Sequence, residues 1–267
     1  MFSAAELQKI GAEFERSTFA GKRVLVTGVR KGAIGCAAAA LFKELGCAVF
    51  AAAESAKTIA VARRTLKKLS IELDGWEVAD FSRAEAGQKL GGKVLHKYGP
   101  PDILCNIAGV TPSRAQMFPN GSLVSESVLW NVNYFAPLEL TRVLIGEMMR
   151  RKSGTVFFMG SSNGVAPQQG FSAYAASKAA LEVLARAMAN DVAHSRVAVF
   201  CVRAGFIEVE RHERALLRKI ARSLPSGKVT TALQIAAAIA RHSVSSALPQ
   251  TGCAIDFTSM QIGSRRG

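Results

Sequence analysis

The sequence predicts one α/β domain: a doubly wound parallel sheet of about seven strands, with helices on both faces. Three observations carry this prediction. Strand-like and helix-like segments alternate along the chain, which favours a parallel sheet covered by helices. The runs "GTVFFMG" and "RVAVFCV" are almost continuously apolar, as is typical of strands buried on both faces. The third observation is the length and composition: 267 residues, of which 49% are apolar, suit one domain with a sizeable core.

The first twenty residues have the pattern of an additional amphipathic helix. Ser3 and Glu6 have the spacing of a capping box. Leu7, Ile10 and Phe14 share one face of that helix. We therefore expect a helical extension ahead of the α/β domain.

The predicted extension covers residues 1–21 and the α/β domain covers 22–267. In the domain, short apolar runs predict strands, and longer segments with apolar residues three or four positions apart predict helices. Strands are predicted at 23–27, 47–53, 76–79, 102–106, 154–160, 196–202 and 253–257. Helices are predicted at 34–45, 56–69, 82–97, 123–150, 172–194 and 230–242. Because such sheets bind ligands at the carboxyl ends of their strands, candidate functional residues are sought there.

The composition excludes several classes of protein. The sequence has no run of about eighteen apolar residues, so it predicts no membrane span. Glu6, Glu13 and Glu15 interrupt the N-terminal segment, which has no apolar signal-peptide core, so we expect no secretion. The five cysteines are scattered and the four histidines lack metal-ligand spacing, which indicates reduced thiols and no zinc site. We expect a cytoplasmic protein, with an organellar matrix left open.

The chain is strongly basic, with a formal net charge of +14 and a pI near 10.0. Such a surface can meet an acidic carrier protein, phosphorylated ligands or nucleic acid, and it can also be a solvated surface without a partner. Lys and Arg are dispersed, with modest concentrations at 63–68 and 211–222. No zinc finger, interleaved aromatic residues or RNA-binding signature accompanies them, which argues against nucleic-acid binding.

A glycine-rich stretch, "TGVRKGAIG", follows the first predicted strand and precedes a helix. Gly28 permits a sharp turn, while Gly32 and Gly35 permit close approach of backbone to phosphate and of helix to sheet. The spacing G-x-x-x-G-x-x-G differs from the common G-x-G-x-x-G fingerprint. A loop with a purely structural role is the alternative interpretation.

Three side chains near the fifth strand have catalytic potential. Ser161 follows that strand, and Tyr174 and Lys178 begin the next predicted helix. At a spacing of four residues, the phenol and the ammonium share one helix face. Of the three tyrosines in the chain, Tyr174 alone has a lysine four residues on. Two unrelated groups on a helix surface are the alternative interpretation.

Together these features resemble the short-chain dehydrogenase/reductase family, over nearly the whole chain from Lys22 to about Thr258. The family's glycine turn, T-G-x-x-x-G-x-G, appears as "TGVRKGAIG" with one extra residue. Its N-N-A-G appears as "NIAG", and its helix asparagine as Asn133 in "NVNYF". Its Y-x-x-x-K is "YAASK", and Ser161 lies thirteen residues before Tyr174, as the family's serine does.

The resemblance implies hydride transfer between a nicotinamide cofactor and a carbonyl or alcohol on a Rossmann-type fold. Tyr174 would be the general acid, and Lys178 would lower its pKa from about 10 and hold the nicotinamide ribose. Ser161 would donate a hydrogen bond to the substrate oxygen. Asn133 resembles the asparagine whose main chain holds a water in the proton relay; packing of a helix-interior asparagine is the alternative.

The resemblance also implies the cofactor-binding residues: Gly28, Arg30, Lys31, Gly32, Ile34, Gly35, Ala53, Asp80, Phe81, Asn106, Ala108, Gly109, Tyr174, Lys178, Gly205 and Ile207. Ala53 stands where an acid would bind the adenine ribose, and Arg30 and Lys31 lie in the glycine turn, so NADP(H) is favoured over NAD(H). Glu54 favours NAD(H) unless its side chain turns outward. Asp80 resembles the acid that contacts adenine, and it can also cap a helix beginning near Ser82.

Some positions depart from the family pattern. The family's Pro-Gly after the sixth strand is Ala204-Gly205, its following threonine is absent near Val209, and the terminal "DFTSMQIG" lacks a glycine pair. These changes affect the regions expected to bind nicotinamide and substrate.

The function we expect is NADPH-dependent reduction of a ketone or other carbonyl, of the 3-oxoacyl or specialised-metabolite type, on a small-molecule or carrier-bound substrate. The segment 206–227, with "ERHERALLRKIARSL", is a candidate basic lid helix. A non-catalytic NADP-binding or interaction protein on the same fold is the alternative. The family resemblance further implies a homodimer or homotetramer joined through the helices at 123–150 and 172–194.

Overall fold

A computed structural model describes residues 2–112, 114–118, 120, 122–208, 214–223, 229–244 and 251–257. The strands are β1 (Arg23–Thr27), β2 (Ala48–Ala53), β3 (Gly75–Val78), β4 (Ile103–Asn106), β5 (Gly154–Ser161), β6 (Val197–Ala204), β7 (Ile207–Glu208), β8 (Thr230–Thr231) and β9 (Ala254–Asp256). The helices are α1 (Ala4–Gly11), α2 (Ile34–Glu44), α3 (Ala56–Lys67), α4 (Ala86–Tyr98), α5 (Leu123–Trp130), α6 (Ala136–Arg151), α7 (Ser172–Asp191), α8 (Arg214–Ser223) and α9 (Ala232–His242).

Seven strands form one parallel sheet in the order β3-β2-β1-β4-β5-β6-β9, which confirms the predicted doubly wound fold. The chain runs outward from β1 to β3 and then returns to β4 on the other side of β1. The carboxyl ends of β1 and β4 therefore border the crevice where such sheets bind ligands. A short parallel ladder of β7 and β8, which the sequence did not predict, lies outside this sheet.

Each face of the sheet is covered by its own apolar core. One core joins the sheet to α1, α2, α3 and α9, and the other joins it to α4, α6 and α7. The strand β5 shows how the pattern arises: Phe157 contributes to the first core and Phe158 to the second, and both are buried. The continuous apolar runs read from the sequence are thus strands with two buried faces.

The N-terminal helix has the predicted capping box, in which Ser3 Oγ accepts from the Glu6 amide and the Glu6 carboxylate accepts from the Ser3 amide. Leu7 is buried, and Ile10 and Phe14 pack against the core of α2 and α9. The N-terminal helix therefore packs on the side of the α/β domain that α2 and α9 form.

The helix predicted at 123–150 is interrupted. It consists of α5, one turn of π-helix at Asn131–Phe135, and α6. The π-turn inserts one extra residue into the helical repeat, so α6 presents a different face from the one a continuous helix would present.

Several sequence expectations lie outside the described residues, namely those on Val209, on part of the segment 206–227 and on the terminal "TSMQIG". Of that segment, the structure describes Phe206–Glu208 and the helix α8. In the described part of the chain, no helix is long and apolar enough to cross a membrane.

Candidate active site

A cleft of about 490 Å³ opens at the carboxyl ends of β1, β2, β4, β5 and β6. Thirteen of the predicted site residues line it: Gly28, Arg30, Ile34, Ala53, Asp80, Phe81, Ala108, Gly109, Ser161, Tyr174, Lys178, Gly205 and Ile207. Five others do not line it: Lys31, Gly32, Gly35, Asn106 and Asn133. The fold therefore brings the glycine turn and the tyrosine–lysine pair to one crevice.

The glycines of the turn are required for three separate reasons. Gly28 has a φ of 71° and lies so close to β4 that a Cβ there would stand 2.7 Å from Ala108 Cα. Gly32 has a φ of 68°, the left-handed conformation that side chains disfavour. Gly35 is helical, but a Cβ on it would lie 2.5 Å from the Gly28 carbonyl oxygen. Ala33, which follows Gly32, has extended backbone and is the N-cap residue of α2, without a side-chain cap.

The amino end of α2 faces the same cleft, because Ala33 and Ile34 line it. The first amide groups of a helix have no intrahelical acceptor and carry the positive end of the helix dipole. This cradle of close backbone and helix N-terminus is suited to a pyrophosphate.

Gly35→Ala is expected to destabilise the protein by about 1–3 kcal/mol, because its methyl group would collide with the backbone of the turn. Gly92 in α4 is the matched control, since a Cβ there meets nothing within 4 Å. Gly92→Ala should raise the free energy of unfolding by about 0.5–1 kcal/mol. Urea unfolding measures both changes, and equal effects of the two substitutions would contradict the close approach of α2 to the turn.

At the other side of the turn, three side chains bear on the choice of nucleotide. Arg30 is exposed and lines the cleft, and Ala53 ends β2 without a polar group. Glu54 also lines the cleft, and its Oε1 accepts a 2.7 Å hydrogen bond from Thr58 Oγ1 at the start of α3. Glu54 is thus tied to the start of α3 at the wall of the cleft.

Asp80 caps a turn rather than a helix. Its Oδ1 accepts hydrogen bonds from Ser82 Oγ (2.6 Å) and the Ser82 amide (3.1 Å), and its Oδ2 accepts from Arg83 Nε (3.2 Å). The bond from the Ser82 hydroxyl is the largest contribution to a lowered pKa of this carboxyl. The helix predicted from Ser82 begins instead at Ala86, after Glu85 takes a left-handed φ of 58°. The cap prediction was therefore wrong for the helix, although Asp80 does line the cleft.

Ser161 and Tyr174 meet at the opposite end of the cleft. Both side chains line the cleft there, and Ser161 Oγ accepts a hydrogen bond from the Asn163 amide at 3.2 Å. Burial raises the pKa of the Tyr174 phenol, and the nearby Ser161 hydroxyl opposes this rise. The direction is the reverse of the lowering that the family resemblance implies, because burial of the phenol outweighs the other influences in this protein.

Lys178 is buried one helical turn further along α7, with 4% of its surface exposed. Its Nζ donates a 2.8 Å hydrogen bond to the Met159 carbonyl on β5 and lies 5.9 Å from the centroid of the Tyr174 ring. Burial lowers the pKa of Lys178 to about 8. The bond to Met159 fixes the ammonium beside the phenol, where it can respond to a proton lost from Tyr174.

Asn133 sits in the middle of the π-turn and is fully engaged by its neighbours. Its Oδ1 accepts from the Val110 amide and its Nδ2 donates to the Val110 carbonyl, both at 2.9 Å. Nδ2 also donates to Ser177 Oγ at 3.2 Å, and that hydroxyl donates to the Tyr174 carbonyl at 2.8 Å. The side chain therefore ties the segment after β4 to the helix that carries Tyr174.

Gly109 is placed between these groups. A Cβ on it would lie 3.3 Å from both Asn133 Oδ1 and Lys178 Nζ. The glycine of "NIAG" thus keeps space open beside the ammonium.

The asparagine of the same stretch, Asn106, is buried and supports the sheet. Its Nδ2 donates to Thr141 Oγ1 at 3.0 Å, while its Oδ1 has no hydrogen-bond partner in the described part of the chain.

Thr27, which the sequence analysis did not single out, accepts from the Ile107 and Ala108 amides at 3.1 Å. The signal for Thr27 was its place directly before the first glycine of the turn.

Comparisons with known proteins identify relatives of this chain. A family model described as short chain dehydrogenase matches residues 22–218. Dehydrogenase/reductase SDR family protein 7-like of Drosophila melanogaster is 30% identical over 214 residues, and the match covers 78% of this chain and 64% of that protein's length. A 3-oxoacyl-(acyl-carrier-protein) reductase of Pseudomonas aeruginosa is 31% identical over 223 residues, covering 81% of this chain and 87% of the relative.

Among solved structures, the fold is similar to that of L-sorbose reductase from Gluconobacter frateurii, which was determined in complex with NADPH and L-sorbose. The TM-score is 0.79 at 21% identity, and the superposition covers 88% of this chain and 94% of the other. At this identity the likeness concerns the fold.

Proposed function

The chain belongs to the short chain dehydrogenase family, and on that premise we propose that it is an NADPH-dependent reductase of ketones. The observation that carries the proposal is that one cleft holds both parts of the expected site. A backbone cradle suited to a pyrophosphate lies at one end, and Ser161, Tyr174 and Lys178 lie at the other. A nicotinamide dinucleotide is an extended ligand that needs both ends at once.

The residues that would hold the cofactor fit such a group. Gly28 and the amino end of α2 offer room and amide donors to the pyrophosphate. Asp80 and Phe81 line the part of the cleft beside Ala53, where the adenosine would bind. Lys178 would meet the nicotinamide ribose. When bound, the reduced cofactor supplies the hydride.

The protein's own part in the reaction is to place the substrate and transfer a proton. Ser161 would donate a hydrogen bond to the substrate carbonyl and so hold it beside the phenol. Tyr174 Oη would then give its proton to that oxygen as negative charge develops on it. A charged Lys178 would stabilise the resulting phenolate, because the two groups share a buried environment.

NADP(H) is the proposed cofactor in preference to NAD(H). Arg30 at the rim of the cleft offers a cation to the 2′-phosphate, and Ala53 supplies no carboxylate that would repel it. Glu54 opposes this preference, but one of its oxygens is already engaged by Thr58.

Arg30→Gln is expected to weaken NADPH binding roughly 10- to 100-fold and to leave NADH binding unchanged, since a charge-assisted bond to the phosphate would be lost. Lys57→Gln, a change at an exposed position on the neighbouring α3, is the control for general loss of positive charge. Titration of each protein with both nucleotides measures the effect. Equal weakening for NADPH and NADH would assign Arg30 no part in the selection.

The proposed substrate is a ketone of the 3-oxoacyl or specialised-metabolite type, free or carrier-bound. The Pseudomonas aeruginosa relative, by its name, acts on a 3-oxoacyl carrier protein, which supports this class. The exposed basic side chains of α8 (Arg218, Lys219 and Arg222) suit an acidic carrier.

We also propose a homodimer or homotetramer that acts in the cytoplasm or an organellar matrix. Phe135 and Val183, on the π-turn and α7, expose 46% and 55% of their surface, in the region where the assembly is expected. Cys36, Cys47, Cys105 and Cys201 are buried free thiols, as is typical of a reducing compartment.

The proposed function is tested by NADPH oxidation with a panel of 3-oxoacyl thioesters and bulky ketones. Turnover of at least one ketone with NADPH, and slower turnover with NADH, is the expected result. Tight NADPH binding without turnover across the panel would favour the non-catalytic NADP-binding protein instead.

A further inference from the structure

A second cleft, of about 350 Å³, lies between the end of α3 and the strand β3. We refer to it as the basic cleft, and it is lined by Arg63, Arg64, Leu66, Lys67, Ile71, Glu72, Leu73 and Trp76. It shares no lining residue with the candidate active site. Glu54, which lines the active-site cleft, precedes the start of α3 at Ala56, whereas the basic cleft begins at Arg63, about 10 Å further along this helix.

The floor of the basic cleft is apolar. Leu66, Ile71 and Leu73 are buried, with at most 9% of their surface exposed. Trp76 is half-buried at the side, and the Arg63 guanidinium lies 5.8 Å from the centroid of its ring. The cleft thus offers an apolar surface next to cations.

The basic cleft carries three exposed cations. Arg63, Arg64 and Lys67 are exposed, and none of them forms an ion pair with a described residue. The helix α3 contains no acidic residue, and Arg63 and Lys67 are four positions apart, a spacing at which like charges repel.

The neighbouring acids do not offset this charge. Glu72 is the one carboxylate among the lining residues. Asp74, on the same connection, is held by Lys43 at 2.8 Å and by the Val49 amide at 2.8 Å. The dipole of α3 accounts for basic residues in its last turn, but it does not account for the apolar cleft beside them.

We propose that the basic cleft binds an amphiphilic anion, a phosphate monoester or a carboxylate attached to a compact apolar group. The anionic head pairs with Arg63, Arg64 and Lys67, and the apolar body packs on Trp76 and on the exposed margins of Ile71 and Leu73. The volume is in the range of small-molecule sites. This binding is independent of the proposed reductase activity.

Octyl phosphate, octanoate, octan-1-ol and inorganic phosphate are the probes, each titrated calorimetrically into the full chain. Both octyl anions, or one of them, should saturate the protein, and the tighter of the two identifies the head group. Octan-1-ol and inorganic phosphate should each bind at least roughly tenfold more weakly, because each offers only half of the recognised chemistry. Inorganic phosphate binding as tightly as octyl phosphate would overturn the proposal, and so would absence of saturation by either octyl anion.

The cleft variant is the triple substitution R63Q/R64Q/K67Q, and the matched control is K9Q/K57Q/K68Q. The control removes the same charge at three exposed lysines that do not line the cleft. The cleft variant should bind the octyl anions at least roughly tenfold more weakly than the wild type, and the control should match the wild type. Retained NADPH binding in the cleft variant verifies its fold. Equal weakening in the two variants would mean that net charge alone causes the effect, and it would refute the site.

Discussion

Replacing Tyr174 by Phe is expected to lower kcat for ketone reduction by about 10³-fold and to leave the affinity for NADPH nearly unchanged. The phenol lines the cleft together with Ser161 and Lys178, and it is the proposed proton donor. Phe keeps the ring and its packing but lacks the hydroxyl, so binding of the nucleotide, which rests mainly on the glycine turn, is preserved. Single-turnover measurement of NADPH oxidation separates the loss in chemistry from any loss in binding.

Tyr98 provides the control for removing a tyrosine hydroxyl. It stacks on Phe50 and donates to Glu77 at 2.9 Å, away from the cleft. Tyr98→Phe should therefore keep the wild-type kcat. If Tyr174→Phe kept it as well, the proton would have to come from another group and the proposed mechanism would be wrong.

The pKa of Tyr174 bears on how this acid works. Because burial raises it, the phenol is protonated at neutral pH and ready to donate in the direction of reduction. A raised pKa makes the phenol a weaker acid, so the proposed mechanism requires Ser161 and a charged Lys178 to stabilise the phenolate that forms.

The parts of the fold that the sequence predicted best are those in which a short local pattern decides the outcome. The strands β5 and β6 are apolar on both faces, and that pattern fits few structures other than a buried parallel strand. Ser161 comes at the end of β5, and the spacing of Tyr174 and Lys178 places both on one face of α7. Once the sheet is parallel, these residues meet the glycine turn at one edge.

The features that were not predicted depend on contacts between distant segments. The stretch "NVNYF" has an ordinary helical pattern, and its π-turn coincides with the bonds from Asn133 to Val110 and Ser177. The late start of α4 follows from Asp80 holding Ser82 in a turn. The ladder of β7 and β8 is two residues long, too short for any periodicity to indicate it.

The pKa of Lys178 depends on packing in the same way, because a sequence cannot tell how deeply a lysine is buried. Its ammonium is enclosed between α7 and β5 and has the Met159 carbonyl as its hydrogen-bond acceptor. Keeping a charge there costs stability, and the proposed function explains why the charge is retained.

Replacing Lys178 by Met should abolish measurable turnover, with a loss of at least about 10²-fold, because the phenolate would lose its neighbouring cation. Lys57→Met, at an exposed position on α3, controls for the loss of one lysine and should retain full activity. Full activity in Lys178→Met would remove the lysine from the mechanism.

The Lys178→Met variant, compared with the wild type, also tests the burial of the ammonium through the pH dependence of the free energy of unfolding.

The sign of the pH effect follows from the lowered pKa, about 8 in the folded protein against a usual 10.5. Between these values the unfolded chain binds more protons at this lysine than the folded chain, so the free energy of unfolding rises with pH across this window. The rise is at most about 3 kcal/mol. Below pH 8 the whole cost of the buried charge is present. Urea unfolding from pH 7 to 10.5 should therefore show the wild type gaining stability relative to Lys178→Met, because the methionine variant lacks this titration. A difference between the two proteins that does not change with pH would mean that the ammonium is not buried as the structure places it.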